Sequence, residues 1–207
     1  MFQTYLKIAW RNIWKNKGYS ITNILGLAIG MCCTILILLW VHDEMNWDKF
    51  HPNYKQVYRV MVNRDFNGTI NTEASIPFPL VHALKEHFPE VKRAALDDYG
   101  GDVVLKHNEI IISRPGINVS SDHAELFRWN FLKGSAATAL QQPNSIVITA
   151  STAKALFGNE DPIGKIIRTN NNTDRAVTGV VADPPANSSI RFDVLTPFNM
   201  NDPWIKG

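Results

Sequence analysis

The sequence has no cysteine beyond Cys33 and, in its first 41 residues, no acidic side chain. The first absence excludes a disulfide-stapled outer fold. Residues 42–207 must hold together on a packed apolar core, which is feasible for 166 residues. Cys32 and Cys33 are adjacent, and neighbours on a helix point about 100° apart, so they are poorly placed to bond each other. The second absence leaves Lys7, Arg11, Lys15 and Lys17 uncompensated, whereas the rest of the chain has 17 basic and 19 acidic residues. A slightly acidic bulk has no electrostatic footprint for nucleic acid, and no such partner is expected. Motifs for chemistry are missing as well. There is no G-x-x-x-x-G-K-[ST] to cradle phosphates, no G-x-S-x-G elbow and no H-E-x-x-H. His82, Glu86 and His87 miss the zinc spacings and read as a solvated helix face; His51 and His123, isolated in polar segments, read the same way. Asp97 and Asp98 would point apart on an extended chain, which argues against a carboxylate pair. No enzymatic activity, metal or cofactor is expected of this chain.

What the sequence does have is one long apolar run. Ile21 to Val41 contains 21 residues without a charge. At 1.5 Å per residue it reaches about 31 Å, the thickness of a bilayer core. A cleaved signal is the alternative. The run is too long for a signal core, and no small-x-small pattern stands at its end among Leu39, Trp40, Val41 and His42. Lys7, Arg11, Lys15 and Lys17 precede it and Asp43, Glu44 and Asp48 follow, so residues 1–20 are expected in the cytoplasm and residues 42–207 outside the cell membrane. Leu6, Trp10, Ile13 and Trp14 recur at helical spacing beside the basic stripe. Residues 1–20 therefore read as a basic amphipathic elbow able to lie among headgroups, with a break at Lys17-Gly18. Within the 21–41 helix, Gly26 and Gly30 form a G-x-x-x-G step suited to close approach by another helix.

Residues 42–207 mix short strands and helices without a βαβ rhythm, which points to an α+β domain. Strands are expected at Gln56–Asn63, Val103–Lys106, Glu109–Ser113, Ile117–Ser120, Ser145–Thr149, Lys165–Thr169, Arg175–Val181 and Ile190–Thr196. Turns are expected at Asn67-Gly68, at His107-Asn108 and over 170–174. Helices are expected at Pro79–Phe88, with Leu80, Leu84 and Phe88 on one face, and at Thr152–Phe157, with Asp122–Phe127 a single turn. Thr149 or Ser151 can cap the second of these and Gly158 can end it. Gly158 and Gly164 can supply positive φ around a turn fixed by Pro162.

Several blocks in order then resemble a known family. Ser145 to Gly164 (SIVITASTAKALFGNEDPIG) resembles a strand, a helix, a Phe157-Gly158 turn and an Asp161-Pro162-x-Gly164 turn. Residues 179–187 (GVVADPPAN) resemble a Gly179-Val-Val, Asp183-x-Pro185-x-Asn187 block. Leu80 to Val91, Phe127 to Leu140, Tyr58-Arg59-Val60 and Arg11-Asn12 fit as well. The chain is similar to the N-terminal part of bacterial ABC-transporter permeases of the MacB/FtsX type. The resemblance implies a periplasmic core domain of the MacB type behind one membrane helix, and a permease subunit that transmits ATPase-driven motion to its outer domain. It also implies a separate cytoplasmic ABC ATPase subunit, a second permease protomer and an extracytoplasmic partner protein. The chain stops at Asn201–Gly207 without a second apolar run, so a truncated permease is expected. The rival readings are a single-pass sensor or binding module and a membrane-tethered enzyme.

Overall fold

A computed structural model describes residues 2–198. The tail Asn201–Gly207 and the side chain of Leu6, both used above, lie outside the described residues. The chain divides into two units, Met1–Trp47 and Asp48–Gly207.

The first unit is two helices, α1 (Phe2–Lys15) and α2 (Lys17–Met45). The break falls at Asn16 (φ −115°, ψ 55°) rather than at Lys17-Gly18, and Gly18 is helical. Asn16 has a side chain that competes with the helix ladder, which makes it the weaker link. The ladder still bridges it: Asn16 N donates to Asn12 O at 3.0 Å and Ser20 N to Asn16 O at 2.9 Å. Helix α2 has 29 residues and extends past the 21–41 run at both ends. Its two threonine hydroxyls are satisfied within the helix, since Thr22 Oγ1 donates to Gly18 O and Thr34 Oγ1 to Gly30 O. None of its residues is buried, and among the described residues it is the one helix long and apolar enough to cross a membrane.

The second unit begins with a 3₁₀ turn, Tyr54–Gln56. A two-stranded hairpin follows, β1 (Val62–Phe66) with β2 (Thr69–Glu73), turning at Asn67-Gly68. The expected strand at Gln56–Asn63 is corrected: pairing starts only at Val62. Residues 57–61 (VYRVM) carry β-branched and aromatic side chains that suit a strand, but no strand lies beside them among the described residues, and Tyr58 is 84% exposed. Helix α3 (Leu80–His87) starts after Pro79 and buries Val81, while Phe88 stays exposed. His82, Glu86 and His87 are on its outer face.

The main sheet has seven strands: β3 (Gly101–His107), β4 (Ile110–Val119), β5 (Phe131–Gly134), β6 (Ser145–Thr149), β7 (Ile166–Thr169), β8 (Thr173–Val181) and β9 (Val194–Pro197). Their order is β5-β8-β6-β9-β4-β3-β7, and β7 also pairs with β8. The last pairing closes six strands into a ring. Strand β8 meets β7 along its first half and β5 along its second. Strand β4 absorbs the expected strands at 109–113 and 117–120 into one. Pro115 does not break it, because at that position β4 pairs with β3 alone, and β9 joins only at Gly116. The Ile190–Thr196 strand shrinks to β9, and β5 was not foreseen.

Strand β6 explains the core. Its five residues are all buried, and side chains alternate faces. Ile146 and Ile148 join Leu105, Leu156, Phe157, Ile167 and Val177 on one face; Val147 joins Val119, Trp129, Leu140, Phe192 and Leu195 on the other. Helix α5 (Ala150–Phe157) covers the first core, with Thr149 Oγ1 accepting from Thr152 N as its cap. The five-residue helix α4 (His123–Phe127) borders the second. Gly134 and Gly179 face each other where β5 meets β8, and a Cβ on Gly179 would strike the Phe131 ring at 2.6 Å.

Candidate functional site

The second unit starts with a fastening. Asp48 sits at φ 57°, a left-handed conformation costly for any residue with a Cβ. Two contacts stabilise it there. Its N–H donates to Asn187 O at 3.0 Å, and its Oδ1 accepts from Ser189 N at 2.8 Å. Both partners belong to the loop after β8. That loop is itself braced. Ser188 N donates to Pro185 O at 3.1 Å, and the Arg191 guanidinium donates to Ala186 O at 2.8 Å. Asp183 accepts from Ser151 Oγ at 2.6 Å and from Ser151 N at 3.2 Å, which ties the loop to the start of α5. Burial pushes the Asp183 carboxyl upward, but the Ser151 and Thr149 donors outweigh it and hold it below the usual range.

Three residues further on, the chain enters an aromatic nest. His51 is 5% exposed, and its Nδ1 donates to Phe127 O at 2.9 Å. A carbonyl only accepts, so the proton is on Nδ1. The His51 ring lies 4.8 Å from Trp129 and 5.3 Å from Phe127, and Phe50 lies 6.2 Å from Trp129. Trp129 in turn meets Phe192 edge-on at 4.9 Å. His123 completes the nest, 4.7 Å from Phe127 and 1% exposed. Arg128, left-handed at φ 51°, turns the chain so that Phe127 and Trp129 both contribute. The expectation of solvent-facing histidines is thus corrected. Their polar sequence neighbours point elsewhere: Asp122 pairs with Lys85, and Glu125 pairs with Arg93 at 2.5 Å. Burial lowers the His51 pKa, against smaller upward pulls from the Phe127 carbonyl and Asp48. Burial, with repulsion from His51, lowers that of His123 to about 3. Both rings are therefore neutral near pH 7, and the nest is an uncharged wedge.

Of the residues singled out from sequence, Asp183, Pro185 and Asn187 converge on this fastening. Phe157, Gly158, Asp161, Pro162 and Gly164 do not; they shape the far end of α5. Phe157 packs on the His107 ring at 4.6 Å, and Gly158 (φ 61°) and Gly164 (φ 79°) make the turns. Asp161 accepts from Lys133 Nζ at 2.9 Å and from Ile163 N at 3.3 Å. Gly179 serves the β5–β8 contact. Gly26 and Gly30 lie on α2 with nothing within 4 Å of where a Cβ would sit. Lys7, Arg11 and Lys15 lie on α1, and Lys17 opens α2 with its Nζ 4.9 Å from the Trp14 ring centre. Sequence reasoning missed Asp48, Phe50, His51, His123, Trp129 and Ser189. The one available signal was the aromatic density of Phe50-His51 and of His123 to Trp129.

The clefts offer structural chemistry. A surface cleft of about 320 Å³ runs between Pro115, Ser151, Asp183 and Asp193. Its carboxylates are engaged, Asp183 with Ser151 and Asp193 with Arg114 at 3.7 Å. Asp98, one of the adjacent carboxylates, accepts from Asn118 N, Asn118 Nδ2 and Gly100 N. Among the described residues, no three His, Cys, Asp or Glu side chains gather as a metal site.

Known proteins place this arrangement. A family model described as the MacB-like periplasmic core domain matches residues 20–204. The chain is 26% identical over 193 residues to a macrolide export ATP-binding/permease protein, MacB 1 of Yersinia pestis, covering 88% of this chain and 29% of that protein. It is 24% identical over 194 residues to the pyoverdine export ATP-binding/permease protein PvdT of Pseudomonas aeruginosa, covering 88% and 28%. The chain thus spans under a third of the length of these relatives. A crystal structure of a domain described as part of a permease protein from Porphyromonas gingivalis shares the fold, with a TM-score of 0.52 and 21% identity over 62% of this chain and 55% of that one. The chain belongs to the MacB-like periplasmic core domain family, of the MacB/FtsX type of ABC-transporter permease.

Proposed function

We propose that this chain is the part of an ABC-transporter permease that carries ATPase-driven motion across the membrane to an outer domain, for export or envelope work. The observation that supports it is the fastening of Asp48 and His51. Helix α2 ends at Met45, and Asp48 is already hydrogen-bonded to the loop after β8. Little slack chain separates the last helical turn from a residue held by the domain. Such a short, pinned connection suits a lever better than a tether.

In this reading residues 1–20 are cytoplasmic and the domain is outside the cell membrane, following the basic and acidic flanks of α2. ATP hydrolysis belongs to a separate ATPase subunit, and this chain uses no cofactor of its own. Gly26 and Gly30 give a second permease protomer, or another helix, room for close approach. The outer domain meets an extracytoplasmic protein partner.

The test is an insertion. Six Gly/Ser residues placed after Asn46 in the assembled transporter should leave ATPase activity in place and lower transport at least about ten-fold, since a flexible chain transmits little displacement. Transport at the wild-type rate would sink the lever. Protease added to intact spheroplasts should digest the outer domain; protection of that domain would reverse the orientation.

A further inference from the structure

Helix α1 has an amphipathic pattern that nothing in the chain uses. Lys7, Arg11 and Lys15 follow at four-residue steps, so they lie within an arc of about 80°. Tyr5, Ala9 and Ile13 form a second stripe offset by two residues, about 200° around the helix. Trp10 and Trp14 border the basic stripe. Tyr5, Trp10, Ile13 and Trp14 are all exposed, from 41% at Ile13 to 69% at Tyr5. Helix α2 buries none of its own residues and follows one residue later. An apolar stripe exposed beside a membrane-spanning helix, and opposed by cations, is the geometry of a helix lying in a bilayer interface.

The charges add the specificity. No acidic residue occurs before Asp43. Among the described residues, no carboxylate forms an ion pair with Lys7, Arg11 or Lys15, in contrast to Lys85, Arg93, Lys133 and Arg168 of the outer domain. Lys17 is set apart, over the Trp14 ring. Three cations in a row on an interfacial helix, lacking internal anions, are complementary to an anionic surface.

We infer that Lys7, Arg11 and Lys15 form a binding stripe for anionic phospholipid headgroups on the side of the bilayer at which α2 begins. The apolar stripe sets the depth and the basic stripe selects the lipid. This rests on α2 being a membrane anchor and deepens the function of that part of the chain: the elbow is held against the leaflet by charge, so membrane composition tunes how firmly the anchor's base is fixed.

The test uses the full chain in phosphatidylcholine bilayers containing trace spin-labelled phosphatidylglycerol or spin-labelled phosphatidylcholine. Electron paramagnetic resonance reads how strongly each is retained at the protein. The wild type should retain phosphatidylglycerol about five-fold more strongly at low salt, the effect of about one well-placed cation per lipid. The preference should fall toward unity in 0.5 M salt. It should vanish in the Lys7→Gln, Arg11→Gln, Lys15→Gln variant and survive in Lys7→Arg, Lys15→Arg. Equal retention of the two lipids by the wild type, or a preference that survives in the triple glutamine variant, overturns the inference. An alkaline carbonate wash separates the two levels. A wild type that stays in the membrane but shows no lipid preference loses the stripe and keeps the anchor; a chain that washes off loses both.

Discussion

The two units handle the same apolar side chains in opposite ways. In α2 every residue is left on the surface, and Ile24, Leu27, Ile29 and Leu36 through Leu39 are more than half exposed. In β6 every residue is buried, on two faces at once. The backbone account explains both. A helix satisfies its own N–H and C=O groups, so α2 can present nothing but side chains to lipid. A strand needs neighbours, so β6 must sit between β8 and β9, and its side chains are enclosed with it. Hydrophobicity alone therefore says that a segment leaves water; a self-paired backbone permits exposure to lipid, whereas a strand's open edges require neighbouring strands.

That contrast can be broken by placing one charge in each unit. Ile148→Asp should unfold the outer domain, because an unpaired carboxylate would be enclosed by Leu156, Phe157 and Ile167; the expected loss exceeds about 4 kcal/mol. Ile29→Asp should leave domain melting unchanged and weaken membrane insertion by about 3 kcal/mol. Urea unfolding followed by circular dichroism, alongside a carbonate wash, reads both. An Ile148→Asp domain that melts like wild type would refute the two-faced core.

A second contrast is between the charged surface and the neutral nest. The pKa of His123 is held at about 3, below the 6.5 of an unfolded histidine, and that of His51 is also lowered. Their stabilising contribution is complete above pH 6.5 and is lost as pH falls from 6.5 toward 3, because the unfolded chain takes up protons that the nest refuses. The expected loss from His123 alone is about 2 kcal/mol between pH 6.5 and pH 5. His123→Phe should flatten that part of the stability profile. A variant with the same acid sensitivity as wild type would show that the nest does not set it.

The smallest effect sharpens the boundary between the units. Asp48→Ala should cost about 1–2 kcal/mol, through the lost Ser189 bond and the left-handed backbone. Asp48→Gly should cost less, since glycine accepts that φ freely. Asp43→Ala, inside α2, should leave domain stability unmoved. Equal losses for alanine and glycine at position 48 would remove the backbone from the explanation.

Much of the second unit was legible because its signals are local. Ile146 to Thr149 are all β-branched, Thr149 precedes a helix it can cap, and Gly158 and Gly164 stand where positive φ is needed. The α+β class and the anchor followed from such signals. The errors came where distant partners decide. Residues 57–61 have the β-branched and aromatic side chains a strand favours, but propensity cannot supply a neighbour to pair with. The strands expected at 109–113 and 117–120 are one, because β4 pairs with β3 without a break from Ile110 to Gly116. His51 looked solvated because its burial depends on Phe127 and Trp129, far away in sequence, and His123 because its immediate neighbours Asp122 and Glu125 are charged. The fastening was legible only in part: Asp183, Pro185 and Asn187 stood out, whereas Asp48 looked like one more acidic residue after a membrane helix.

The ring of strands has a mechanical consequence for that fastening. Asp48 is gripped by the loop that joins β8 to β9. Strand β9 is bonded along both edges, to β4 and β6, and β8 is bonded to β6 on one side and to β7 and β5 on the other. A pull arriving at Asp48 is therefore shared at once among five neighbouring strand pairs instead of peeling one hairpin from an edge. Separating β9 from the sheet would break ladders on both of its edges, so the loop that holds Asp48 is rooted in paired backbone at both ends.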